Sequence, residues 1–73
     1  DAARDAYLAA LRVAEAQGSL ALSLRARFGL ARNLEREGRS AEVRATLAPI
    51  LDVFAEEDSP ELRAARELFS RHN

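Results

Sequence analysis

The sequence predicts an all-α fold of four helices that pair antiparallel and stack, and three observations predict it. Apolar residues recur with the helical period in four successive runs, and no strand-like alternation competes with them. Only compact Gly, Ser and Pro signals separate these runs, with no linker-like or low-complexity stretch between them. Many positions also repeat at a spacing of about 40 residues, the range of helix-pair repeats.

The first helix is expected over residues 2–17, where Ala3, Tyr7, Ala10, Leu11 and Ala14 share one face. Gly18 supplies a left-handed stop and Ser19 a cap for the next start. The second helix, over 20–37, carries two apolar stripes. Leu20, Leu24, Phe28, Ala31 and Leu34 form one, and Leu22, Ala26, Gly29 and Leu30 the other. A helix that is apolar on two sides packs between neighbours. Gly38 ends it, and Ser40 is read as the cap of the third helix, over 40–55, whose core face is Val43, Leu47, Ile50, Leu51 and Phe54. Pro49 lies inside this run, removing a backbone donor and predicting a bend, yet the apolar spacing continues through it. Carboxylates at Glu56, Glu57 and Asp58 oppose the helix dipole and end the run. Ser59 followed by Pro60 restarts the chain as cap and first helical residue. The fourth helix, over 60–71, is apolar only along Leu62, Ala65, Leu68 and Phe69, which suits the last helix of a stack.

The internal period aligns Ala3 with Val43, Tyr7 with Leu47, Ala10 with Ile50, Leu11 with Leu51, Val13 with Val53, Ser19 with Ser59 and Leu22 with Leu62. Helix one thus corresponds to helix three, and helix two to helix four. In stacked helix pairs each pair needs a neighbour to cover its apolar face. A chain of 73 residues forms one small domain, and a domain of this size buries only about 60% of its unfolded surface. The first residue is Asp1 and the amphipathic pattern is already running there, so the sequence reads as a piece of a larger protein. Its unsupported apolar side, with Val13, Tyr7 and Leu8, predicts self-association at high concentration.

Leu30, Ala31, Leu34, Gly38, Leu47, Ile50 and Leu51 resemble the spaced small and apolar positions of a tetratricopeptide repeat, and Ala3, Tyr7, Ala10 and Leu11 resemble the second helix of a preceding one. The chain departs from that pattern in four respects. Its period is about 40 rather than about 34 residues, Arg27 stands where a large aromatic is usual, Val43 replaces a small residue, and the closing proline is missing. From Leu30 to Leu68, the cadence REGRSAEVRATLAPI and VFAEEDSPELRAARELF resembles the C-terminal repeats of large bacterial regulatory ATPases of the transcriptional-activator or class III cyclase type. The resemblance implies a module whose parent carries the nucleotide, cyclase or DNA chemistry elsewhere. The cytoplasm is the expected compartment because the sequence shows no apolar run of spanning length and no charged-then-apolar signal pattern.

The residues themselves predict no enzyme, no cofactor and no metal. Cysteine is absent, which removes disulfides, thiolate nucleophiles and Cys-ligated metals together. Gly18, Gly29 and Gly38 are too far apart for a phosphate loop, and the chain has no Lys to reach a phosphate. The only histidine, His72, lies one residue from an end expected to fray, and a structural role is predicted for it. Glu56, Glu57, Asp58 and Glu61 lack the glycine turn and ligand spacing of a calcium loop, so capping explains them. Tyr7, Phe28, Phe54 and Phe69 all fall on core stripes, and packing is their expected role. No apolar run approaches membrane-spanning length, and no membrane or nucleic-acid partner is expected.

Eleven basic residues against twelve acidic ones give no net-charge argument for nucleic acid, but the distribution is uneven. Seven Arg and four Glu lie between Arg12 and Arg44, whereas the segment from Asp52 to Glu67 holds six acids and two Arg. All the basic residues are Arg, a composition that fits either a GC-rich genome or forked recognition of carboxylates. Arg25, Arg32 and Arg36 sit at i, i+7 and i+11 and fall within about 40° of one another on the second helix. Nucleic-acid backbone binding would want more phosphate contacts and less interleaved acid, which leaves two main readings of this stripe. It is a solvated face with local pairs such as Arg32 with Glu35 and Glu35 with Arg39, or it lines a groove that accepts an acidic peptide, a partner protein or another domain of the parent. The corresponding functions are an interaction module and a purely structural cap of a repeat array.

Overall fold

The computed structural model describes residues 1–72 and contains four α-helices with no strand among them. They are α1 (Ala2–Gln17), α2 (Leu20–Arg36), α3 (Ser40–Val53) and α4 (Pro60–Ser70). The all-α expectation holds, with each helix end within two residues of the place the sequence signals put it. α1 packs on α2, α2 on α3, and α3 on α4, while α2 also reaches α4. α1 touches neither α3 nor α4, so the helices form an open array rather than a closed bundle.

The turns follow from local chemistry. Gly18 and Gly38 both adopt positive φ, 66° and 73°, which a residue with a Cβ takes only at a cost, and their N–H groups close the last turns of α1 and α2. The Ser19 and Ser59 hydroxyls accept from the N–H of Leu22 and Leu62 at 3.2 and 3.1 Å, as cap residues do. Asp1 does the same for α1, accepting from Ala3 N–H at 2.9 Å. Ser40 departs from its expected role. It is the first helical residue, the position before it is Arg39, and that position makes no side-chain cap. α3 runs through Pro49 as one helix and stops at Val53, two residues earlier than expected. Past that stop, the Arg66 guanidinium of α4 donates to the Phe54 and Glu57 carbonyls and ties the α3–α4 connection to α4.

The core lies between α2, α3 and α4. Leu24, Leu30, Ala31, Leu34, Val43, Leu47, Ile50, Leu62, Ala65 and Leu68 form one buried cluster, against which Tyr7, Phe28, Leu51, Phe54 and Phe69 pack while partly exposed. The expected core faces of α3 and α4 are therefore present, with Leu51 at the margin and Leu47 fully enclosed. α1 is different, since only Ala14 is buried on it.

α1 crosses close to α2 because Gly29 allows it. A Cβ at Gly29 would overlap the Tyr7 ring, so the glycine that weakens the middle of α2 is what lets the tyrosine seat. The far end of the pair is held by polar contacts. Arg4 pairs with Glu37, and Asn33, itself buried, donates to Asp1 at 3.4 Å.

Candidate functional site

Arg25, Arg32 and Arg36 are all exposed on α2. Their shared helical phase becomes a shared cleft of about 360 Å³, lined by all three together with Tyr7, Phe28 and Gly29. The Arg32 guanidinium lies over the Phe28 ring at 5.9 Å from its centroid, which orients one cation against the cleft wall.

Glu35 does not pair with Arg32 or Arg39, contrary to the local-pair reading. It binds the C-terminal end of α4 instead, meeting His72 Nε2 at 2.7 Å and Arg71 Nε at 3.3 Å. Arg39 finds Glu42 at 2.6 Å and Glu37 at 3.5 Å instead. Asp58, from the acidic junction, is taken by Arg63 at 3.3 Å and Arg66 at 3.7 Å. Among the described residues, no carboxylate forms an ion pair with Arg25, Arg32 or Arg36. Glu35, Glu37, Glu42 and Asp58 are taken by other arginines, and the stripe is left without an ion-paired carboxylate among the described residues.

Arg25 occupies a junction. Besides the arginine cleft, it borders a cleft of about 290 Å³ toward α4, lined by Leu24, Phe28, Pro60, Glu61 and Ala64. It also borders an apolar cleft of about 430 Å³ toward α1, lined by Tyr7, Ala10, Val13, Leu22 and Ala26. The last of these contains exposed apolar side chains. Val13 is 53% exposed and Leu22 40%.

Ser40, His72 and Glu35 form a hydrogen-bonded chain, with Ser40 Oγ 2.9 Å from His72 Nδ1. The frayed end expected at His72 is thus corrected, because its ring bridges the start of α3 and the end of α2. Its geometry is that of a clasp. The carboxylate is shared with Arg71, and hydrogen bonds from His72 first and Arg71 second hold the Glu35 carboxyl below its ordinary range.

Sequence reasoning found the three arginines but missed that Tyr7, Phe28 and Gly29 share their cleft. A glycine in the middle of an otherwise strong helix was the available signal, since it marks a close approach. Among the described residues no helix is long and apolar enough to cross a membrane. Compared with protein-family models, with curated proteins and with solved structures, the chain matches none. The chain is an open array of four helices with an arginine-lined cleft on α2.

Proposed function

We propose that this chain is a non-catalytic helical-repeat module that binds an acidic protein segment, or a neighbouring domain of a larger bacterial regulatory protein, on the face formed by Arg25, Arg32 and Arg36. One observation carries the reading: three guanidinium groups line one cleft while no carboxylate of the described residues pairs with them. Several like charges held together gain when a partner brings opposite charge, and Arg favours carboxylates because its fork donates two parallel hydrogen bonds. The tetratricopeptide-like spacing supports the same reading, since such repeats are built to present a continuous surface. A cytoplasmic setting is part of the same proposal.

Replacing Arg32 and Arg36 together with Ala is the test, using the full chain and a Glu-rich peptide as probe. The variant is expected to associate more slowly and with a weaker dependence on salt, at unchanged helicity, because steering by exposed charge acts mainly on the on-rate. Equal on-rates and salt slopes for the two proteins would overturn the reading.

The other reading is a structural cap of a repeat array, and the outer face of α4 favours it. Glu61, Arg63, Ala64, Glu67 and Ser70 are exposed there, the polar covering that a terminal repeat requires. A cap would bind no acidic probe in an Arg-dependent way.

A further inference from the structure

The period of about 40 residues lets one half of the molecule serve as a template for the other. On α3 and α4, Val43, Leu47, Ile50, Leu62 and Ala65 are all buried, because α2 lies over α3 and reaches α4. Their counterparts one period earlier are Ala3, Tyr7, Ala10, Leu22 and Arg25. None of these five is buried. The clearest pair is Leu62, 3% exposed, against Leu22, 40% exposed.

Tyr7, Ala10 and Leu22, joined by Val13 and Ala26, line the apolar cleft between α1 and α2. What fills the equivalent surface on α3 and α4 is α2 itself, an amphipathic helix with Leu24, Leu30, Ala31 and Leu34 in the common core. It runs parallel to α4, since the first turns of both helices flank one cleft and the Glu35 end of α2 meets the His72 end of α4.

One position breaks the equivalence and identifies the occupant further. Ala65 is fully enclosed, whereas the residue one period earlier is Arg25, exposed and unpaired at the edge of the apolar cleft. A helix laid across this cleft would strip water from the Arg25 guanidinium, which is costly unless the helix brings a carboxylate with it. Arg32 continues the stripe seven residues on, two turns further along the same side.

We propose that the cleft between α1 and α2 docks an amphipathic α-helix that lies parallel to α2, seats a Leu- and Ala-rich face against Tyr7, Ala10, Val13, Leu22 and Ala26, and carries two carboxylates about seven residues apart that meet Arg25 and Arg32. This rests on the reading of the arginine stripe as a binding face. It adds the shape and the pattern of what is bound.

The experiment uses the full chain and three synthetic probes: a helix-stapled peptide with a Leu/Ala face flanked by two Glu seven residues apart, the same peptide with Gln for Glu, and an unstructured Glu-rich peptide. Val13→Glu places a charge in the cleft at an exposed position. Ala10→Arg is a second exposed variant, and circular dichroism checks that both stay folded. The Glu helix is expected to bind, at least about tenfold more weakly when its Glu are Gln or when the protein carries Val13→Glu or Ala10→Arg. Binding of the unstructured peptide should not weaken with Ala10→Arg, which blocks the cleft while adding positive charge beside the stripe. If the Glu helix binds both cleft variants as well as the parent protein, the docking proposal fails and the charged-face reading survives. If neither acidic probe responds to loss of Arg25 and Arg32, both fail. Sedimentation of the chain alone gives the remaining outcome: self-association that Val13→Glu abolishes, with no binding of the Glu helix, would make a second copy the occupant and overturn the proposal.

Discussion

The pairs α1–α2 and α3–α4 carry similar apolar spacing, yet they end in opposite states. On α3 and α4 that spacing is covered by α2, and on α1 it leaves only Ala14 buried. The charges of α4 and of the α2 stripe differ in the same way. Every Arg of α4 and its end has a carboxylate, with Arg63 and Arg66 on Asp58 and Arg71 on Glu35 and Glu67. On α2, Arg25, Arg32 and Arg36 have none among the described residues, although Arg27 on the α3 side reaches Glu15 and the Thr46 carbonyl. Periodicity therefore tells which side of a helix is apolar, while the presence of a neighbour decides whether that side is buried.

The sharpest way to break this comparison is to truncate equivalent positions in the two halves. Leu47→Ala removes a side chain with no exposed surface and is expected to cost about 2–5 kcal/mol in urea unfolding. Its counterpart one period earlier, Tyr7→Ala, removes a half-buried ring and should cost about 1 kcal/mol, the ordinary scale of a partly buried site. Leu51→Ala should fall between them, since Leu51 stands at the edge of the cluster rather than inside it, where the sequence had placed it. Equal losses at Leu47 and Tyr7 would mean that the two halves are packed alike and would remove the basis for treating one as uncovered.

A smaller effect, of less obvious sign, is expected at Gly29. Ala normally stabilises the interior of a helix relative to Gly by about 1 kcal/mol. Here its methyl group would meet the Tyr7 ring and push α1 away, so Gly29→Ala alone should fail to stabilise. In a Tyr7→Ala background the same change should recover a gain of about 0.5–1 kcal/mol. A double-mutant cycle with no coupling between the two positions would show that their contact does not set the approach of α1 to α2.

Much of the fold was legible because helix starts and stops are local. Ser19, Gly38, and Ser59 with Pro60 act within a few residues of themselves, and the core stripes of α3 and α4 follow from spacing alone. What escaped is long-range. Glu35 has plausible partners at Arg32 and Arg39 by helical spacing, but its actual partners, Arg71 and His72, lie 36 and 37 residues away. Residue type suggests Ser40 as a cap, but its hydroxyl is engaged by His72 from the far end of the chain. The stripe itself was legible from angles, whereas its lack of counter-charge was not, because that depends on where each nearby acid turns.

That same relocation of Glu35 leads to the smallest expected effect, one that depends on pH. His72 and Arg71 both stabilise the charged form of Glu35, so its carboxyl in the folded chain titrates below its ordinary value. The unfolded chain takes up this proton more readily than the folded one, so the clasp contributes stability above the ordinary carboxyl range and loses it as pH falls through the lowered folded value. Glu35→Gln should therefore lower the thermal midpoint slightly at neutral pH, and the gap from the parent protein should narrow as the solution is acidified below about pH 4. The loss is small because the site is open to solvent, where exposed ion pairs add little and salt screens them. Thermal melts of both proteins across that range at low salt provide the measurement. A gap that widens on acidification would reverse the sign and place the stabilising contacts of Glu35 in its protonated form, against the paired geometry at the end of α4.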